Sequence, residues 1–354
     1  MTATKKIDLA LQGGGSHGAF TWGVLDRILQ DDRIDITAIS GTSAGAMNAI
    51  ALADGLTRGG RDAARVALDG FWRAVSDAAR FSPIKPGPMD QMFSRWSLDA
   101  SPGYIGMNTL ARLASPYQLN PFDLNPLRDV LEKQIDFDQV NACSATNVFV
   151  TATNVRTGLP RVFRQGEITL DVVMASACLP DMFKAVEIDG EAYWDGGFTG
   201  NPALSPLVDE SDCRDMVIVQ INPIRRDKVP ATAAEIRDRM NEITFNSSLI
   251  KELRSIALLN RIIDTEGLED ERYRDMRLHR IGGEGLEHLS ASSKMNSGLD
   301  FLLHLRDLGH ESAENWIKAN FAALGQRSTF DPETLFEESF RLPCAPKRKN
   351  KGAT

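Results

Sequence analysis

Two consecutive stretches decide the reading: IDLALQGGGSHGAFTWGVLDRIL at residues 7–29 and IDITAISGTSAGAMNAIALADGL at residues 34–56. Ile7 to Leu11 is a short apolar run that suits a buried strand, and Gly13 to Gly15 is a turn that ordinary side chains would resist. From Ala19 to Leu29 the apolar residues Phe20, Val24, Leu25 and Ile28 recur at helical spacing. Ile34 to Ile39 is a second strand, Gly41 to Gly45 a second tight turn, and Ala46 to Leu56 a second helix. Strand, turn and helix, repeated, predict an α/β fold: a mainly parallel central sheet flanked by helices.

Moving outward, Arg61 to Arg80 reads as helix. Between Phe81 and Pro126 seven prolines (83, 86, 88, 102, 116, 121 and 126) predict a loop-rich insertion with one helix near Asn108 to Ala114. The aromatics and methionines from Met89 to Met107 suit either plain core packing or a lid over an interface. Ser144 to Val155 reads as a strand that Pro160 to Arg164 pairs with, and Asp189–Gly190 as a hairpin turn. Met216 to Ile221 is apolar enough for a central strand, Thr232 to Ile263 is one long helical pattern, and Leu299 to Leu324 is a last helix. The expected division is a catalytic domain over 1–225 carrying the insertion 81–126, a helical C-terminal extension over 226–340 packed on it, and a disordered tail over 341–354.

Length and charge bound the function. A chain of 354 residues buries a large core without disulfide or metal. Forty basic against 48 acidic residues give a net charge of −8, a balance that does not suit a general nucleic-acid binder. Cys143, Cys178, Cys213 and Cys344 form no C-x-x-C pair, which points to reduced thiols in the cytosol. The polar start shows no signal peptide, and no run of about 18 apolar residues occurs, so a cytoplasmic location is expected.

Gly41-Thr42-Ser43-Ala44-Gly45 fits G-x-S-x-G between a strand and a helix, the setting of a nucleophile elbow. The turn lifts the serine hydroxyl to the top of the sheet and aims the positive end of the following helix at it. The bland alternative is a tight turn with Ser43 as helix N-cap. Gly13 to Gly18 admits two readings as well. Its backbone N–H groups could receive a developing negative oxygen, or Gly13-x-Gly15-x-x-Gly18 could be a dinucleotide fingerprint. The second needs an acid at the end of the next strand. Asp35 stands at that strand's beginning instead, and its end holds the elbow. Both glycine turns fall on one edge of a parallel sheet, the edge where open α/β folds bind ligands.

A serine nucleophile needs a base. His17, His279, His288, His304 and His310 are the histidines, and His279, His304 or His310 would complete a Ser–Asp–His triad. The other candidate is Asp195 in Trp194-Asp195-Gly196-Gly197, at a strand end, which also reads as a simple turn.

In this order the motifs resemble the patatin-like phospholipase family, with its glycine-rich loop, its G-x-S-x-G and its D-G-G about 150 residues later. Ala175-Ser176-Ala177-Cys178-Leu179-Pro180 is similar to that family's A-S-x-x-x-P segment. The resemblance covers about Ile7 to Ile221. It implies a patatin-like three-layer α/β/α fold and hydrolysis of lipid acyl esters without metal or other cofactor. It also implies a dyad in which Ser43 is nucleophile and Asp195 base. Gly13, Gly14, Gly15 and Ala44 would form the oxyanion hole, with Gly18, Gly41, Gly45, Gly196 and Gly197 supporting. The family often has Arg or Lys where this chain has His17, which becomes either a pH-dependent cation or a local hydrogen-bonding residue. An unperturbed aspartate is a weak base, and burial would strengthen it. The implied partner is a lipid or other acyl ester, met through peripheral membrane contact. The long helix packs most simply on the sheet, but a homodimer or a membrane contact also suits it. Lys347-Arg348-Lys349 with Lys351 reads as a solvated basic tail or one that visits anionic headgroups.

Overall fold

The computed structural model describes residues 4–93, 96–266, 275–283 and 285–335, so the tail read over 341–354 lies outside the described residues. Along the chain run β1 (Lys5–Leu11), α1 (Gly18–Leu29), β2 (Ile34–Gly41) and α2 (Ala44–Ala78). Then come α3 (Pro88–Phe93), α4 (Pro102–Leu113), α5 (Pro116–Leu119), α6 (Pro126–Gln134) and α7 (Phe137–Asn141). β3 (Asn147–Asn154), β4 (Pro160–Arg164), α8 (Leu170–Ser176), β5 (Val186–Ile188), β6 (Glu191–Asp195), α9 (Ser205–Glu210) and β7 (Asp215–Gln220) follow. α10 (Ala233–Glu266), β8 (Arg277–Gly282) and α11 (Leu299–Asn320) complete the set.

The strands β3, β2, β1, β7 and β8 lie side by side in that order, all parallel. Strand side chains alternate between faces, and here each face has its own core. Ile7, Leu9 and Leu11 of β1 join Val217 and Val219 of β7 in the larger cluster, with α1, α2 and α11. Ala10, Met216 and Ile218 turn the other way, onto Leu249, Leu253 and Ile256 of α10. Burial on both faces is why these strands read as continuous apolar runs. The expected α/β fold with flanking helices is therefore the one found, and the stretch beyond 225 adds the edge strand β8, where the sequence from Tyr273 to Ile281 reads as a last strand, as well as helices.

One departure from parallel order places the site. β4 pairs antiparallel with Phe149–Thr153 of β3, and β6 pairs antiparallel with Ala152–Asn154. Since β4 occupies one edge of β3, β6 must share the other edge with β2, whose pairing ends at Gly41 opposite Val150. The end of β6, Asp195 opposite Ala152, therefore arrives where β2 stops.

The insertion differs from the expected loop-rich stretch, since it holds α3, α4 and α5. Pro88, Pro102 and Pro116 are their first residues, and Pro126 opens α6. The N–H missing from proline is unpaired at that position anyway. Ser101 caps α4, and Ser115 with Gln118 forms a capping box on α5. Trp96 anchors the insertion by packing on Phe301 and stacking on His304.

Candidate active site

Ser43 stands between β2 and α2 with φ 54° and ψ −123°, a strained conformation that persists only where surroundings enforce it. It occupies the N-cap position of α2, yet its side chain makes no capping hydrogen bond. The hydroxyl is instead near enough to the Asp195 carboxyl to favour its charged form. The bland turn reading leaves that contact unexplained.

Neighbours hold the elbow from beneath. The Ser43 N–H donates to Ser176 Oγ at 2.9 Å, and Ser176 Oγ donates to the Thr151 carbonyl at 2.7 Å. Thr42 Oγ1 donates to the Gly200 carbonyl at 2.6 Å, and Ser40 Oγ to the Ala203 carbonyl at 2.6 Å. The elbow is thus fastened to the segment that follows Asp195. A Cβ on Gly45 would collide with the Leu11 carbonyl, so the helix start lies directly on the end of β1.

Asp195 is 1% exposed. Its N–H donates to the Cys178 carbonyl at 2.8 Å, its carbonyl accepts from Thr153 Oγ1 at 2.8 Å, and Oδ1 accepts the Gly197 N–H at 2.7 Å. Burial pushes the carboxyl up to about 7, against the Gly197 N–H and Ser43 hydroxyl, which favour the charged form. The result is a carboxylate basic enough to accept a proton near neutral pH.

The glycine loop lies against this pair. A Cβ on Gly13 would stand 2.7 Å from Ser43 Cβ, so only glycine permits the approach. The Gly13 N–H donates to Asn201 Oδ1 at 2.6 Å, so this residue is a support of the loop and not the oxyanion donor that the sequence predicted. The N–H groups of Gly14, Gly15 and Ala44 have no partner among the described residues. Gly18 packs on Ala44, and Gly41 on the Gly45 backbone. Gly196 lies against Thr151 and Gly197 against Phe245 of α10.

Residues without a sequence motif complete the site. Gln12 Oε1 accepts the N–H groups of Ile221 and Asn222 at 3.0 and 2.9 Å, and its Nε2 donates to Asn246 Oδ1 at 3.0 Å. Asn222 Nδ2 donates to the Gly13 carbonyl at 2.7 Å. Uncharged amides at strand ends are the one signal these residues offered.

The other candidates fall away from Ser43. His279 is fully buried toward the strand starts, between Asp215 at 3.0 Å and Thr329 at 2.9 Å. His304 stacks on Trp96, His310 faces Gln30 just past α1, and His288 lies beside Glu287. Asp35 pairs with Lys6 at the beginning of β2, its side chain largely exposed. His17 Nε2 lies 2.8 Å from Ser293 Oγ, and burial with Lys294 and Arg226 nearby drives its pKa well below the ordinary histidine value. It is a local hydrogen-bonding residue, not a cation. No described helix is long and apolar enough to cross a membrane.

Comparison with known proteins gives three findings. The family model of the patatin-like phospholipases matches residues 9–208. A protein named cGAMP-activated phospholipase from Escherichia coli (strain TW11681) is 26% identical over 347 residues, covering 83% of this chain and 89% of that protein. Among solved structures, VipD from Legionella pneumophila aligns at 16% identity and a TM-score of 0.37, over 86% of this chain and 67% of its own. The ExoU–SpcU complex of the Pseudomonas aeruginosa type III secretion system aligns at 14% identity and a TM-score of 0.32, over 94% and 74%.

Proposed function

The chain belongs to the patatin-like phospholipase family and is a hydrolase of ester bonds; from that premise we propose that it cleaves the carboxylic esters of lipids by a Ser43–Asp195 dyad through an acyl-serine. The supporting observation is the Ser43 hydroxyl in a strained elbow, beside a buried carboxyl whose pKa is raised to about 7. Asp195 takes the hydroxyl proton as Ser43 Oγ attacks the ester carbonyl. The N–H groups of Gly14, Gly15 and Ala44 receive the oxyanion, with the N-terminal end of α2 behind them. Collapse expels the alcohol or lysolipid, which takes the proton from Asp195. Water then gives a proton to Asp195 and attacks the acyl-serine. The acid leaves and Ser43 recovers its proton.

The substrate is reached by peripheral contact with the cytosolic membrane surface. Of 18 large apolar residues exposed among the described ones, ten lie between Phe81 and Leu124. Crowding of this kind marks an interaction surface, and its position on the insertion makes that segment a lid facing lipid. Ile236, Met240 and Ile243 are also exposed along α10, a stripe that a homodimer or membrane contact would cover.

The test is hydrolysis of p-nitrophenyl esters of short and long acyl chains by the wild type, Ser43→Ala and Asp195→Asn, with EDTA throughout. Each assay runs with and without cGAMP, since the Escherichia coli relative is named for that activator. Turnover by the wild type, unaffected by EDTA and reduced by about 10³-fold or more in both folded variants, is expected. Full activity in Ser43→Ala, or none in the wild type under either condition, would sink the proposal.

A further inference from the structure

Beyond the family match and remote in sequence from all three motifs, residues 290–296 lie directly on the glycine loop. Gly15, with φ +58°, faces the Lys294 carbonyl so closely that a Cβ there would collide with it. Ser293 Oγ donates to the Ser290 carbonyl at 2.7 Å. With its hydrogen so engaged, Ser293 Oγ accepts from His17 Nε2 at 2.8 Å. That assigns the neutral tautomer with the proton on Nε2, and His17 Nδ1 has no partner among the described residues. Among the described residues the His17 side chain therefore has one hydrogen-bond anchor, Ser293, and one ring neighbour, the edge of Phe301 at 6.2 Å.

A second attachment runs through Lys294. Its ammonium donates to Asn222 Oδ1 at 2.7 Å, and Asn222 Nδ2 donates in turn to the Gly13 carbonyl. Burial pushes the Lys294 pKa down, Glu242 and Asp238 pull it up, and Arg226 opposes them. The same segment grips the insertion. Ser292 Oγ accepts the Leu98 N–H at 3.0 Å and lies 2.9 Å from Ser290 Oγ, while Asn296 Nδ2 donates to the Trp96 carbonyl at 3.0 Å. Ser292 and Ser293 are fully buried, with Asn296 nearly so. Hydrogen-bonded polar groups in such a place specify one geometry, where apolar side chains would tolerate several.

We infer that residues 290–296 form a strut that sets the glycine loop in its anion-receiving shape and ties it to the insertion, with Ser293 and Lys294 as positioning residues. Neither side chain touches the reacting atoms. Each acts through the loop, Ser293 by His17 and Lys294 by Asn222. The catalytic consequence rests on the hydrolase reading above, while the structural one does not.

The experiment compares the full-length wild type with Ser293→Ala and Lys294→Met. Thr329→Ala, at the opposite edge of the sheet, is the control for general destabilisation. Hydrogen–deuterium exchange is read over residues 12–18, and kcat and KM on a soluble p-nitrophenyl ester. Expected is exchange faster by about tenfold in that segment for both strut variants and not for the control. With it, kcat falls about 10- to 100-fold while KM changes by less than about threefold, as for a misplaced catalytic group. Unchanged exchange over residues 12–18 would overturn the strut. Faster exchange with kcat no lower than in Thr329→Ala would overturn the positioning role. Should the wild type hydrolyse no ester, the exchange result still decides the strut while the hydrolase reading falls by itself.

Discussion

Asp195 combines two opposed demands in one side chain. Its burial raises the carboxyl to about 7, which makes it a useful base and a costly residue to fold around. As the proposed base it must be ionised, so activity should fall tenfold per pH unit below about 7 and level off above it. The stability sign runs the other way. The folded chain keeps this proton up to about pH 7 while the unfolded chain loses it near 3.8. The group therefore costs stability increasingly from about pH 4 to 7, and fully above. Asp195→Asn should abolish turnover yet stabilise the fold at pH 8 by about 1–3 kcal/mol, with the gain vanishing below about pH 4. Thermal melts at the two pH values check this. Ser43 and Asp195 were legible because glycines mark their turns. Gln12, Asn201 and Asn222 were not, since their partners stand far away in sequence and meet only once the sheet has formed. Gly13 was misread for the same reason: no local pattern shows that Asn201 captures its N–H.

At the scale of elements, α2 changes course at Gly59–Gly60, where Gly60 has φ 75° and ψ −155°. Arg61 follows the break and donates to the carbonyls of Leu29, Ile34, Ile28 and Asp31, at 3.0, 2.9, 2.9 and 2.8 Å. One guanidinium thus serves four carbonyls around the α1–β2 connection. Arg61→Ala should destabilise the chain by about 2–4 kcal/mol in urea unfolding, with kcat on a soluble ester unchanged. The strand–turn–helix units around that connection were readable from periodicity alone. The insertion was read as loop because prolines break helices, whereas here they begin them, and composition does not distinguish the two positions. The entry of β6 beside β3 was hidden too. It depends on where the pairing of β2 runs out, a property of register and not of composition.

Across the whole molecule the sheet carries the candidate site at one edge and an ionic anchor at the other. Asp215 at the start of β7 is buried, which alone would raise its pKa. Hydrogen bonds from His279, Arg277 and the Gly325 N–H hold it well below the ordinary carboxylate range. A depressed folded pKa gives stability that is present above the unfolded value and lost as pH falls below it. Asp215→Asn should therefore cost about 2–4 kcal/mol at pH 7, and the difference should narrow progressively in unfolding curves as pH falls below about 4. The insertion gives a prediction at this scale as well. Phe122 and Leu113 are 84% and 78% exposed. Phe122→Ser with Leu113→Ser should lower co-sedimentation with phospholipid vesicles by about tenfold or more while leaving soluble-ester turnover intact. Equal sedimentation of both proteins would remove the lid from the membrane.

The strut on the glycine loop also has a meaning in time. A ribosome adds about 5–20 residues per second, so Lys294 is synthesised roughly 5–20 s after Asp195. For that interval a nascent chain holds its serine, its aspartate and its glycine loop without the segment that the loop packs against, so Gly15 and His17 wait for partners that the ribosome has yet to make.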